Sequence, residues 1–137
     1  MSRFTAHLGL QMVEDGEGRP ILRGGRCQWI VRGALRYEVG CEGSGRYVLV
    51  PDGALTDLAS IPRAFWTLLP PDGPWLKAAV VHDHLYRQRG VTDQRAWTRR
   101  EADEILREAM GVLGVPAWKR GVIFAAVRIG GAAGWGR

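Results

Sequence analysis

His82, Asp83 and Tyr86 lie within five residues of one another, and Asp103 follows from a separate segment. These are residue types that water-activating chemistry uses. An imidazole becomes an oriented base when a carboxylate holds its far nitrogen, because that bond fixes the tautomer and steadies the imidazolium. A cation held by a second carboxylate can polarise the bond under attack. In that scheme His82 is the catalytic base, Asp103 orients it and Asp83 is the metal ligand. The same residues support a second reading, a buried polar network. Unpaired buried polar groups cost roughly 1–3 kcal/mol each, so they must be satisfied, and a satisfied set rigidifies a small fold. Thr56 and Asp57 are further candidates for the polar centre. Asp57 sits in a loop bounded by apolar residues, where a carboxylate either ties down backbone N–H groups or faces a site.

The stretch Ala-Ala-Val-Val-His-Asp-His-Leu-Tyr over 78–86 has no Gly or Pro and reads as helix. At about 100° per residue, Lys77, His84 and Gln88 share a wet stripe, with Arg87 also on the outer face. His82, Tyr86 and Ala79 fall opposite, and Asp83 lies further round. His82 and Asp83 therefore serve different atoms rather than each other. The helix is expected to begin at Pro74 in the N1 position and to stop at Gly90. Thr98-Arg99-Arg100-Glu101 is a capping box that opens a second helix. Its apolar stripe is Ala102, Ile105, Leu106, Ala109, Met110 and Leu113, with Asp103 at the border, leaning toward the preceding helix. Gly114 ends it. A third helix runs from Pro116 through Trp118, Val122, Ile123, Ala126 and Ile129 to Gly130-Gly131, ahead of a small tail.

Upstream, 8–13, 27–31, 35–39 and 47–50 are short, partly alternating and β-branched or aromatic, which predicts strands. Gly-rich breaks between them are hairpin turns. None opens a helix or leads into Gly-Lys-Ser/Thr, so they are not phosphate cradles. Ser60 N-caps an expected short helix carrying Phe65, Trp66, Leu68 and Leu69, which Pro70-Pro71 ends. The fold class is thus α+β, with an antiparallel β-rich N-terminal half followed by three main helices. The organisation is one domain over 1–137: a β-rich part to 55, a loop and short helix over 56–72, a helical part over 73–131 and a tail over 132–137.

The chain has 137 residues, a net charge of +5 and two cysteines. That size permits one real core. Cys27 and Cys41 have no ligand spacing and are too few for a disulfide scaffold, which suggests free thiols made in the bacterial cytoplasm. The start has no apolar signal region, and no window approaches the roughly 20 apolar residues of a membrane span. The basic excess favours an anionic partner or a membrane surface. Nucleic acid is not indicated, since the charges are scattered without an aromatic-basic ladder. His82 and His84 point to opposite sides of a helix and do not form a transition-metal cluster. A His-Asp phosphohydrolase would need an upstream histidine, and only His7 in a predicted strand is available. No serine or cysteine arrangement supports nucleophilic catalysis.

Two resemblances add to this reading. Val50-Pro-Asp-Gly-Ala-Leu-Thr-Asp-Leu-Ala-Ser-Ile-Pro-Arg, His82-Asp-His-Leu-Tyr86, Arg100-Glu-Ala-Asp103, Glu108-Ala-Met110 and Gly114-Val-Pro116 together resemble the phage and prophage family called domain of unknown function thirteen fifty-three. That resemblance implies a phage, prophage or gene-transfer-particle origin and assigns no activity. Separately, His-Asp-x-x-Tyr followed by Ala-Asp is similar to the calcium-dependent secreted phospholipases, including the parvoviral capsid version. It implies that His82 activates water, Asp83 holds calcium or another divalent cation, and Tyr86 with Asp103 steadies His82. The Gly-rich calcium loop of those enzymes has only Pro70-Pro71-Asp72-Gly73-Pro74 as its counterpart. Two functions are expected. The first is a virion- or tail-associated structural or assembly component incorporated into a phage-like particle, with other virion or tail proteins as partners. The alternative is a small hydrolase of lipid or cell envelope.

Overall fold

A computed structural model describes residues 4, 7–23, 25–57 and 75–136. The expected short helix after Ser60, its Pro70-Pro71 stop, the 70–74 loop and Pro74 lie outside the described residues. Among the described residues, seven strands precede three α-helices: β1 (Gly9–Met12), β2 (Leu22–Arg23), β3 (Arg26–Cys27), β4 (Trp29–Arg32), β5 (Leu35–Glu38), β6 (Tyr47–Val50), β7 (Leu55–Thr56), α1 (Leu76–Arg87), α2 (Arg99–Val112) and α3 (Ala117–Gly130). The fold is α+β, with antiparallel strands in the N-terminal half and helices after them.

β4 is the middle strand of a three-stranded antiparallel sheet, between β1 and β7. β5 and β6 form a hairpin in which Leu35 faces Val50 and Tyr37 faces Val48. Those four side chains are buried, while Arg36 and Tyr47 on the other face stack with the guanidinium 3.9 Å from the ring centre. Alternation of period two thus puts one face of the hairpin in the core. The expected strand over 27–31 is interrupted. Cys27 pairs with Leu22 in the β2–β3 hairpin, and pairing with β1 resumes at Trp29. β2 and β7, two residues each, are too short to show alternation in sequence. Cys27 and Cys41 are both free.

α1 is the centre of the molecule. It packs on α2 along one side and on β6 and β7 along another. Residues 78–86 are all buried in consequence, including His84, which helical phase alone had put on a wet face. The correction has a simple cause: a helix covered on both flanks has almost no solvent side. α1 ends where Arg89 and Gly90 take positive φ, and the Gly90 amide donates to the Leu85 carbonyl. A β-carbon at Gly90 would meet the Trp97 backbone carbonyl, whose carbon lies 2.8 Å away, so only glycine fits. α2 has the expected capping box, with Thr98 accepting from the Glu101 amide and Glu101 accepting in return. Such a cap is worth about 1 kcal/mol.

α3 docks by one of its faces. Ile123, Ala126 and Val127 are buried, whereas Trp118, Val122 and Ile129 are exposed. α3 is apolar nearly all round, so periodicity could not select the side that docks. Among the described residues, no helix is long and apolar enough to cross a membrane.

Candidate functional site

Three helices converge on Asp103. Helical phase places His82 and Tyr86, one turn apart, on the same side of α1, and α2 presents Asp103 to both. His82 Nε2 lies 2.8 Å from Asp103 Oδ1, and the Tyr86 hydroxyl donates to the same oxygen at 2.6 Å. Arg128 of α3 donates to Oδ2 at 2.9 Å. The rings of His82 and Tyr86 pack at 4.3 Å between centres. His82 and Asp103 are each 0% exposed. Burial pushes the Asp103 carboxyl up, but the bonds from His82, Tyr86 and Arg128 outweigh it and hold the group below its ordinary range. Asp103 is therefore an acceptor, and the His82 proton in this contact sits on Nε2. Burial first, then Asp103, pushes the Tyr86 phenol well above its ordinary value, so Tyr86 stays a neutral donor.

Arg99 completes this centre. Its guanidinium lies 3.7 Å from Asp103 Oδ2 and donates to the Val127 and Arg128 carbonyls at 3.1 and 3.3 Å. A cation near those carbonyls also suits the negative end of the α3 dipole. From the far side, Trp135 meets Tyr86 edge-on at 5.2 Å, and the Gly136 amide donates to the Tyr86 carbonyl.

Asp83 belongs to a second cluster, on another side of α1. Thr56 of β7 donates to Asp83 Oδ2 at 2.6 Å, and Arg87 Nε donates to the same oxygen at 3.1 Å. Arg87 also pairs with Asp57 at 3.0 Å. Thr56, Asp57, Asp83 and Arg87 thus form one buried bridge between helix and sheet. Arg87 does not lie idle on an outer face, as phase alone suggested. His84 lies beside this bridge, and burial holds its imidazole below the ordinary histidine value, with Asp83 opposing and Arg87 assisting.

The candidate residues are thus gathered into two places rather than one. His82, Tyr86 and Asp103 come together, as do Thr56, Asp57 and Asp83. A calcium site at Asp83 does not fit this arrangement. Asp83 Oδ2 already accepts from Thr56 and from the Arg87 guanidinium, whose positive charge opposes a second cation beside it. Among the described residues, no three His, Cys, Asp or Glu side chains converge as a metal site. Sequence reasoning missed Arg87, Arg99 and Arg128. The i,i+4 spacings Asp83–Arg87 and Arg99–Asp103 were visible signals. Arg128, a helix away, gave none.

Comparison with known proteins gives two matches. The model of a family described as "Protein of unknown function (DUF1353)" matches residues 29–127. An uncharacterized protein of Sinorhizobium fredii, y4jT, is 34% identical over 80 residues, which are 57% of this chain and 22% of that protein. The chain therefore spans well under half of that relative's length. No solved structure matches.

Proposed function

We propose, from the premise that the chain belongs to the DUF1353 family, that it is a structural or assembly component of a phage-like particle, associated with the virion or its tail. The observation that carries this reading is the sealed state of the polar centre. His82 and Asp103 have no solvent exposure, and both Asp103 oxygens are taken by donors from α1 and α3. A fully bonded buried network fixes one arrangement of three helices, which is what a particle subunit needs. The resemblance of its linked motifs to phage and prophage proteins supports the particle setting, with other virion or tail proteins as partners and the bacterial cytoplasm as the place of synthesis. Particles purified from a producing strain should contain the chain, and deletion of its gene should lower the yield of intact particles. Unchanged particles that lack the chain would overturn the reading.

One observation favours a second reading, a small hydrolase of lipid or cell envelope that uses His82 as general base. The His82–Asp103 contact with Tyr86 has the geometry of an oriented base. In that case His82→Ala should keep the fold and abolish turnover of phospholipid or envelope substrates. A His82→Ala protein that unfolds instead, from a wild type with no turnover, returns the centre to its architectural role.

A further inference from the structure

The outward face of α3 is the largest feature that neither cluster explains. Trp118, Gly121, Val122, Ala125 and Ile129 fall within a sector of roughly 100° on the helix. All five are exposed, Trp118 at 61% and Ile129 at 86%, and none carries a charge or a hydrogen-bonding chain other than the indole N–H. A surface helix ordinarily turns its polar side to water, so about three turns of apolar outer face call for an occupant.

Charge indicates which occupant. Residues 1–57 hold seven Lys or Arg and seven Asp or Glu, so the excess of +5 resides entirely in the remainder. From Ala109 to Arg137 there are Lys119, Arg120, Arg128 and Arg137, and no acidic residue at all. Lys119 flanks the apolar sector on one side, its ammonium 5.6 Å from the Trp118 ring centre. On the other side Arg107 of α2 stacks on Phe124 at 4.3 Å. A second copy would set this acid-free segment against itself, with like charges opposed and no carboxylate to pair. An anionic surface satisfies both the apolar strip and its cationic borders.

We propose that α3 is a membrane-docking helix that lies in the headgroup layer of an anionic phospholipid surface. Trp118, Val122 and Ile129 enter the acyl boundary, while Lys119 and Arg107 reach up to lipid phosphates along their aliphatic stems. The helix lies on the bilayer and does not span it. Neither the His82–Asp103 centre nor the Asp83 bridge has to open for this docking, so it stands apart from the proposed function.

Co-sedimentation of the full chain with vesicles tests it. Vesicles containing phosphatidylglycerol should carry the protein down, and phosphatidylcholine vesicles should do so roughly ten-fold less, with release at high salt. Ile129→Glu and Trp118→Ser should each weaken the binding about ten-fold while leaving the far-UV spectrum and melting temperature unchanged, because both side chains are exposed. No sedimentation with anionic vesicles, or equal sedimentation of Ile129→Glu, would overturn the proposal. A dimer in equilibrium sedimentation that Ile129→Glu dissolves, with vesicles still unbound, would also overturn it and assign the face to a second copy.

Discussion

Asp103 and Asp83 are both buried carboxylates held by a hydroxyl and a guanidinium, yet they join different things. Asp103 of α2 collects donors from two other helices: His82 and Tyr86 from α1, and Arg128 from α3. Asp83 of α1 takes Thr56 from β7 and Arg87 from its own next turn, and Arg87 extends the link to Asp57. The first set clamps helix to helix to helix, and the second pins the central helix to the edge of a sheet. One helix thus carries two polar fastenings on different sides. A histidine next to an aspartate in sequence suggested one centre. Since neighbours on a helix diverge by about 100°, the adjacency produces two.

The contrast can be broken most directly at Asp103. Asp103→Asn weakens the bonds that His82, Tyr86 and Arg128 all make to one 0% exposed carboxylate, and the expected loss is about 3–5 kcal/mol in urea unfolding with the slope unchanged. A loss below that of the Arg87 variant would reverse the ranking of the two clusters. The acid limb follows the same residue. Its pKa is held down in the fold, so its contribution is fully present above the ordinary carboxyl value and lost as pH falls below it. Wild-type stability should therefore drop below about pH 4, and Asp103→Asn should flatten that drop.

Arg87→Met comes next. It leaves Asp83 and Asp57 together without a cation, but Arg87 is 16% exposed, so water reaches part of the gap. The expected cost is roughly 2–3 kcal/mol, below the full buried-pair figure. Amide exchange should quicken at β7 while α2 and α3 stay protected. Exchange that quickens equally everywhere would mean that the bridge is not a separate fastening.

Tyr86→Phe removes one charge-assisted bond to Asp103, for about 2 kcal/mol. The Tyr86 pKa is raised in the fold, so its contribution is complete below the ordinary phenol value and declines as pH rises above it. The wild type should lose stability above about pH 10, and Tyr86→Phe should lose less over that range. Thr56→Val keeps shape and deletes only the hydroxyl that meets Asp83. About 1 kcal/mol is expected, the smallest effect of the set, read from the thermal midpoint.

Local patterns made much of this architecture readable. The contact of His82 and Tyr86 with Asp103 follows from a turn's spacing on α1 and the position of Asp103 on the amphipathic α2. The capping box at Thr98–Glu101 and the glycine stop at Gly90 are likewise properties of a few neighbouring residues. What escaped depends on the surroundings. Burial of His84 needs the knowledge that β6 and β7 cover the second flank of α1. The docked side of α3 could not be chosen from a helix whose apolar residues are spread over more than one face. Arg128 reaches Asp103 only after α3 has folded back, and β7 is two residues long. Arg87 was the readable miss, since a carboxylate four residues before an arginine announces a pair.

The tail has an operational consequence. Because the Gly136 amide is tied to the Tyr86 carbonyl at 2.7 Å and Trp135 meets the phenol ring edge-on, the segment 135–136 acts as a latch on the central helix. Deuterium uptake at that single amide therefore reads the latch directly, separately from the slower exchange of the helices behind it.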